Sequence, residues 1–265
     1  MAFPIQLRSL QFLTILTVCL CSGSVARGAA RSGQADDGTQ RVPVLVELFT
    51  SEGCSDCPPA DALLAELDRK QFVPGAEAIV LSEHVTYWNH LGWRDPFSLD
   101  VATQRQEEYV RRFGLDSAYT PQIVVDGTSQ FVGSDRRALV SALTKAVAKP
   151  KIHLAIENAR WDAGSVHFRL RAEKLNRAKL IVALASDATH SEVARGENAG
   201  RTLHHTAVVR TFKELDARDV DGRTISVDGG GVPRAVNRDG KIRLVVFAID
   251  HETGHVITAA EQGLQ

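Results

Sequence analysis

The sequence predicts an α/β domain over residues 42–149, followed by an all-β, sandwich-like domain over residues 150–265. Strand-like and helix-like segments alternate in the first part, which is typical of a sheet covered by helices. The second part has short apolar segments separated by turn residues, which is typical of a β-sandwich. The composition, 44% hydrophobic and 24% charged, excludes a disordered chain. A net charge of -1 offers no basic surface, so no nucleic-acid partner is expected.

Residues 1–30 predict an export signal. Arg8 supplies the positive start, residues 10–20 form an apolar stretch, and small residues lead up to Ala30. The stretch is shorter than the ~20 residues that cross a membrane, so no span is expected in the mature chain. Residues 31–41 are small and polar and predict a flexible segment. We therefore expect an exported protein, periplasmic or extracellular.

The mature chain retains one pair of cysteines. Of the 4 cysteines, Cys19 and Cys21 lie in the predicted signal. Cys54 and Cys57 remain, in a compartment that oxidises thiols. This pair lies between a predicted strand, Val44–Thr50, and a predicted amphipathic helix. Because a helix N-terminus favours a thiolate over a thiol, this position predicts a redox site.

Two other interpretations of the pair are a structural disulfide and half of a zinc site. Closing so short a loop stabilises a fold by only about 2 kcal/mol on the chain-entropy model. Zinc requires two further Cys or His ligands at regular spacing, and the sequence has no second CxxC motif. A redox function is therefore favoured. Its expected partners are protein thiols or disulfides and an upstream redox protein, and it needs no metal or cofactor.

The residues around the pair predict a modest redox potential. Pro58 and Pro59 disfavour helical geometry at Cys57, so we expect the helix to begin at Pro59. Asp56 is the expected N-cap, and its negative charge opposes a nearby thiolate. Both features weaken the stabilisation of a Cys54 thiolate. They predict a reductase-like or isomerase-like couple rather than a strong oxidant.

The other elements of the first domain follow from apolar periodicity and turn residues. Ser98 is expected to cap the second helix, which ends before Gly114. Pro121 is expected to open a strand, since proline is tolerated at a first or edge position. Asp135 is expected to cap the last helix. The predicted elements are a strand at 77–82, a helix at 99–113, a hairpin at 122–132 and a helix with apolar positions from 139 to 147.

This order of elements, with CxxC at a helix start and Thr-Pro before a hairpin, resembles the thioredoxin fold over about residues 42–148. The resemblance implies that Pro121 is cis beside the disulfide and that Thr120 contacts the substrate backbone. It implies that Cys54 attacks the substrate and that Cys57 resolves the mixed disulfide. It also implies that Glu47 is a buried acid that exchanges a proton with the resolving thiol. An ion pair or an edge position is the alternative interpretation of Glu47.

Longer segments resemble a narrower family. They are Glu47–Asp61 (ELFTSEGCSDCPPAD) and His84–Trp93 (HVTYWNHLGW), and the similarity extends through Arg195–Arg201. They resemble an uncharacterised family of secreted bacterial proteins, catalogued as domain of unknown function twelve twenty-three. This resemblance covers nearly the whole mature chain. It implies a fold and a redox motif but no substrate.

The segment from His84 to Phe97 contains two of the 3 tryptophans and is rich in polar residues, Gly and Pro. In one interpretation it forms a wall of the substrate groove beside the CxxC motif. Trp88 and Trp93 would then contact substrate, and His84 or Asp95 would assist proton transfer. In the other interpretation it is a packed loop whose tryptophans cover the sheet edge.

The second domain is expected to dock a partner, to shield the redox site or to stabilise the first domain. Its predicted strands are at 152–156, 166–170, 180–185, 203–209, 224–227, 242–249 and 255–258.

Histidines in the second domain suggest metal binding, but less strongly than the cysteine pair suggests redox chemistry. The string His251–His255 matches HExxH, but its strand-like surroundings argue against the helix that a zinc protease needs. His204 and His205 are adjacent on a predicted strand and so point to opposite faces. One of them could join the cysteines in a Cys2His site for copper(I) or zinc. A metal-binding module is therefore one alternative function, and an interaction protein with a structural disulfide is another.

Overall fold

A computed structural model describes residues 41–264, except 174, 176–177, 218–219, 221 and 230–240. The predicted signal and nearly all of the flexible segment lie outside the described residues. The elements are β1 (Val42–Thr50), α1 (Pro58–Lys70), β2 (Ala76–His84), α2 (Asp100–Phe113), β3 (Gln122–Val125), β4 (Ser129–Val132), α3 (Arg136–Val147), β5 (Leu154–Asp162), β6 (Ser165–Ala172), β7 (Ala178–Glu192), β8 (Thr202–Asp216), β9 (Thr224–Asp228), β10 (Ile242–Asp250) and β11 (Val256–Leu264).

Strands from both predicted domains form one mixed sheet of eight strands, in the order β11-β10-β7-β8-β2-β1-β3-β4. β1 pairs parallel to β2 and antiparallel to β3. The two halves of the chain meet where β2 pairs parallel to β8, at Ser82 and Val208. This junction brings the β7–β8 hairpin next to the end of β2, close to where β1 leads into the CxxC motif.

A second sheet of three strands, in the order β5-β6-β9, packs on β7, β10 and β11 through one apolar cluster. Phe168 of β6 is buried in this cluster together with Val182 of β7 and Val246 of β10. The seven strands predicted for the second half are thus all present, and four of them belong to the eight-stranded sheet.

Side chains alternate along β1, and the two faces of the strand enter different cores. Val44, Val46 and Leu48 pack with the apolar faces of α1 and α3. Leu45 packs on the other face, in a cluster that includes residues of β7 and β10. α1 follows β1 directly after the CxxC turn, and this connection places both cysteines at the edge of the α1 core.

The helix starts differ in part from the sequence predictions. α1 begins at Pro58, and its N-cap is Cys57, with helical φ and ψ of -76° and -38° and no side-chain cap. The predicted start at Pro59 and the predicted cap at Asp56 are therefore wrong, because proline fits the first helical positions, where its missing N–H is not needed.

For the other two helices, the predicted N-cap of α2 is wrong and that of α3 is confirmed. α2 has Leu99 as its N-cap, not Ser98. The Ser98 hydroxyl instead donates to the carbonyl oxygen of Asp95 at 2.8 Å. Asp135 caps α3 as predicted and accepts from the Ala138 N–H at 3.0 Å. None of the helices in the described ranges has the length and apolarity to cross a membrane.

Candidate active site

Cys54 and Cys57 form a disulfide, with Cα atoms 5.5 Å apart, between the end of β1 and the start of α1. Both residues are buried, with 2% and 0% of their surfaces exposed, whereas Ser55 and Asp56 between them are exposed. The Ala60 N–H donates to the Cys57 carbonyl at 2.9 Å, so the first turn of α1 closes on the motif itself. The pair therefore lies at the positive end of the α1 dipole.

The Thr120–Pro121 peptide bond is cis, as the resemblance implies. The Thr120 carbonyl oxygen lies 3.8 Å from the Sγ of Cys54. The Thr120 hydroxyl accepts a hydrogen bond from the indole N–H of Trp88 at 2.8 Å. The structure thus brings together Cys54, Cys57, Thr120, Pro121 and Trp88, all of which were predicted from the sequence.

Glu52, two residues before Cys54, is fully buried and was not predicted as a site residue. Its carboxylate accepts from the Trp93 indole N–H at 2.8 Å and from the hydroxyl of Ser191, and its Oε1 lies 3.1 Å from Nε2 of His205. Ser191 and His205 come from β7 and β8, 139 and 153 residues away in sequence. Nothing local in the sequence signals these partners.

His205 lies between two acids beneath the CxxC turn. Its Nδ1 is 3.7 Å from Oδ2 of Asp61, in the first turn of α1, and its Nε2 faces Glu52. Burial alone lowers the pKa of His205, but hydrogen bonds and charges from Asp61 and Glu52 outweigh it and raise the pKa to about 9. His205 is therefore an imidazolium at neutral pH. His204 is exposed, as expected for neighbours on a strand.

His84 and Asp95 form a second buried pair beside this cluster. Nδ1 of His84 lies 2.7 Å from Oδ2 of Asp95, and the same oxygen accepts from the Glu52 N–H at 2.9 Å. Burial raises the pKa of the Asp95 carboxyl, but His84 and backbone N–H groups prevail and lower it. The imidazole rings of His84 and His205 meet edge-on, with centroids 4.6 Å apart.

Hydrogen bonding within this segment argues against the predicted substrate groove. His84 and Asp95 are buried, their side chains pair with each other, and Asp95 also accepts from the Glu52 N–H. Trp88 and Trp93 are partly exposed, but their indole N–H groups are used in hydrogen bonds within the protein. These contacts favour the packed-loop interpretation of residues 84–97.

Glu47 points to the face of β1 opposite α1, because it alternates with Val46 and Leu48. Its carboxylate accepts from the Arg105 guanidinium and from the hydroxyl of Tyr109, both on α2. The ion-pair interpretation of Glu47 is therefore favoured over the proton-exchange role. Two buried acids that do lie near the CxxC motif are Glu52 and Asp61, on either side of His205.

The loop between β7 and β8, residues 193–201, also contacts the CxxC turn. The side-chain amide of Asn198 donates to the carbonyl oxygens of Glu52 and Cys54, each at 2.9 Å. The Glu197 carboxylate accepts from the Ser55 N–H at 3.0 Å. The family resemblance covers this segment but implies no role for it.

The HExxH string and the cavity at the start of β1 lie away from the cysteines. His251 and His255 lie at the turn between β10 and β11 and not on a helix. Within the described ranges, no group of three or more His, Cys, Asp and Glu residues is arranged to hold a metal ion. A cavity of about 1110 Å³ opens between the start of β1, residues 147–156 and β11, and no CxxC residue lines it.

Fold and site together define a class of protein: a mixed α/β sheet protein with a CxxC disulfide at a helix N-terminus beside a cis-proline. Residues 45–247 match the family described as protein of unknown function (DUF1223), and the chain belongs to that family. Its structure is similar to the X-ray crystal structure of protein AGR_C_4864 from Agrobacterium tumefaciens. The TM-score is 0.63 at 24% identity, and the match covers 83% of this chain and 94% of that one. No curated protein matches the sequence.

Proposed function

We propose that this protein is an exported thiol–disulfide oxidoreductase with a thioredoxin-like redox site. The observation that carries the proposal is the position of the Cys54–Cys57 disulfide, at the start of α1 and 3.8 Å from the carbonyl oxygen before the cis-proline. The order of elements supports it: β1 runs parallel to β2 and antiparallel to β3, and α1 and α3 cover one face.

In the reducing direction, the Cys54 thiolate attacks one sulfur of a substrate disulfide and forms a mixed disulfide. One substrate sulfur leaves as a thiolate and takes a proton from solvent. The Cys57 thiol then loses its proton, and its sulfur attacks the Sγ of Cys54 and releases the second substrate thiolate. The substrate gains two electrons and two protons, and the protein is left with the Cys54–Cys57 disulfide. A dithiol protein upstream must reduce that disulfide again.

An isomerase cycle uses the same first step without net oxidation. A substrate thiolate attacks the mixed disulfide in place of Cys57, so the substrate rearranges and Cys54 is regenerated. The α1 dipole favours the Cys54 thiolate, while the exposed charge of Asp56 opposes it. We therefore propose reductase-like or isomerase-like function rather than strong oxidation.

Trapping of mixed disulfides tests the proposal. With Cys57→Ser, the second step is blocked, and covalent complexes through Cys54 should accumulate in an extract of the compartment outside the inner membrane. They should disappear when dithiothreitol is added. Cys54→Ser is the matched control, because it removes the attacking thiol and leaves Cys57 in place.

Reduction of insulin disulfides gives a second measure that needs no natural partner. The wild-type protein with an excess of dithiothreitol should accelerate insulin precipitation, and either single cysteine variant should not. If Cys57→Ser traps nothing beyond the level of Cys54→Ser, and wild type does not accelerate insulin reduction, the disulfide is structural. The protein is then an interaction protein.

A further inference from the structure

The β7–β8 loop, residues 193–201, is the part of the second half of the chain that contacts the CxxC turn. The loop is closed by backbone hydrogen bonds from Val193 to Arg201 at 3.0 Å and from Gly200 to Val193 at 2.8 Å. Most of its residues are exposed, but Asn198 is fully buried. A buried amide in an exposed loop requires partners for its polar atoms, and both partners of the Asn198 Nδ2 lie on the CxxC turn.

Asn198 is held in one orientation. Its Nδ2 donates to the carbonyl oxygens of Glu52 and Cys54, and its Oδ1 accepts from the Arg201 guanidinium at 2.8 Å. If the amide were flipped, its oxygen would face two carbonyl oxygens, and none of these three atoms can donate a hydrogen bond. These contacts therefore fix the orientation of the amide. Asn198 therefore pins the backbone on both sides of Gly53.

The CxxC turn is held from its other side by the aromatic segment. A Cβ atom on Gly53 would lie only 3.0 Å from the Cβ of Trp88, so this backbone has no free space on that side. The residues before and at Cys54 are thus held by both Trp88 and Asn198. A turn fixed in this way holds Cys54 in the geometry that closes the disulfide with Cys57, which favours the oxidised pair.

Glu197 contributes a charge at the same turn. It is exposed, and its carboxylate accepts the N–H of Ser55, the residue that follows Cys54. Hydrogen bonds from Ser55 lower the pKa of Glu197, so it is ionised at neutral pH. Backbone N–H groups at a helix start are donors that stabilise a thiolate, and here one of them is paired with a full negative charge. This charge destabilises a thiolate at Cys54.

We propose that Asn198 and Glu197 are positioning residues of the redox site, which keep the Cys54–Cys57 couple reducing. Asn198 does so by holding the turn in the geometry of the disulfide, and Glu197 by disfavouring the Cys54 thiolate. Because the stability of the reduced form sets how oxidising a couple is, both effects make the dithiol a better electron donor. The proposal rests on the proposed function and assigns a role to the second half of the chain.

Glu197→Gln tests the charge, since it keeps a hydrogen-bond acceptor and removes only the carboxylate. Removal of one nearby unit charge at the protein surface shifts a pKa by roughly 0.5. The Cys54 thiol pKa, measured from the pH dependence of alkylation by iodoacetamide, should fall by about that amount. At a pH above the pKa values of both cysteines, the ratio of dithiol to disulfide protein in equilibrium with glutathione should rise roughly threefold. The control is Glu192→Gln, the same change at an exposed residue at the end of β7.

Asn198→Ala tests the hold on the CxxC turn. It should shift the glutathione equilibrium toward the dithiol by roughly threefold or more. A lower melting temperature can accompany this shift but does not replace it. If only the melting temperature falls, Asn198 is structural. If Glu197→Gln behaves like Glu192→Gln, the role of Glu197 is overturned.

These readouts use small molecules, so they are independent of the trapping experiment. If no partner is trapped and insulin is not reduced, but both shifts are found, the proposed function fails and the role of the loop stands. If the pair does not exchange with glutathione at all, both are overturned.

Discussion

The buried imidazolium of His205 should make the protein lose stability in mild alkali. The pKa of His205 is raised from 6.5 to about 9 in the folded protein, because Asp61 and Glu52 flank the ring. A group with a raised folded pKa stabilises the fold fully below its unfolded pKa, and this stabilisation is lost as the pH rises through the folded pKa. The loss therefore falls between about pH 6.5 and about pH 9.5.

The size of the effect follows from the shift. A difference of about 2.5 pKa units corresponds to about 3 kcal/mol at most, and about 2 to 3 kcal/mol of it should be lost between pH 7 and pH 10. The charged and titratable groups around the ring are Glu52, Asp61 and His84, with Asp95 paired to His84 and Arg210 close enough to Asp95 to interact with its charge.

Urea unfolding at pH values from 6.5 to 10 measures the loss of stability that accompanies deprotonation of His205. The Cys54–Cys57 disulfide is kept oxidised, so that neither cysteine titrates. We expect the wild-type midpoint to fall by roughly 1 M urea from pH 7 to pH 10. His205→Gln removes the titrating ring. It should be less stable than wild type at pH 7, and the two should converge near pH 10. Parallel curves at constant separation would refute this account of His205.

Three substitutions away from the reacting sulfurs should change stability or local packing. Gly133→Ala should destabilise by about 1–3 kcal/mol in thermal unfolding, since its Cβ would lie within 3.0 Å of three side-chain atoms; an unchanged melting temperature would contradict this. Arg105→Met leaves Glu47 buried without its cation and should cost about 3–5 kcal/mol in urea, while the glutathione equilibrium stays at the wild-type value. Trp88→Phe removes the donor to the Thr120 hydroxyl and should cost about 1 kcal/mol; insulin reduction slowed as much as by loss of a cysteine would instead assign Trp88 to the chemistry.

The local features of the site could be predicted from the sequence. The strand before Cys54 and the helix after Cys57 are each present, and so is the cis peptide bond before Pro121 that the resemblance implied. The strand and the helix depend on apolar periodicity and on turn residues, which act within a few residues. The predicted helix start differs by one residue from the observed one, since the proline rule does not distinguish the first two helical positions.

The residues that contact the CxxC turn could not be predicted, because they are distant from Cys54 and Cys57 in sequence. Glu52 and Glu47 are both acids near the motif, and only the faces of β1 and the arrival of β8 decide which one contacts His205. The roles assigned to His84 and Asp95 assumed free side chains, whereas the structure pairs the two with each other and packs the His84 ring against His205.

By itself, the sequence determined the order of elements, the CxxC motif and the family, since each is written in contiguous residues. The tertiary structure decided that the two halves share one sheet through β2 and β8, and that Asn198 and His205 reach the CxxC turn. The physical reason is that strand pairing between distant segments depends on backbone hydrogen bonds, which any residue can form. The sequence shows which segments become strands, but the packing of the whole chain selects their neighbours.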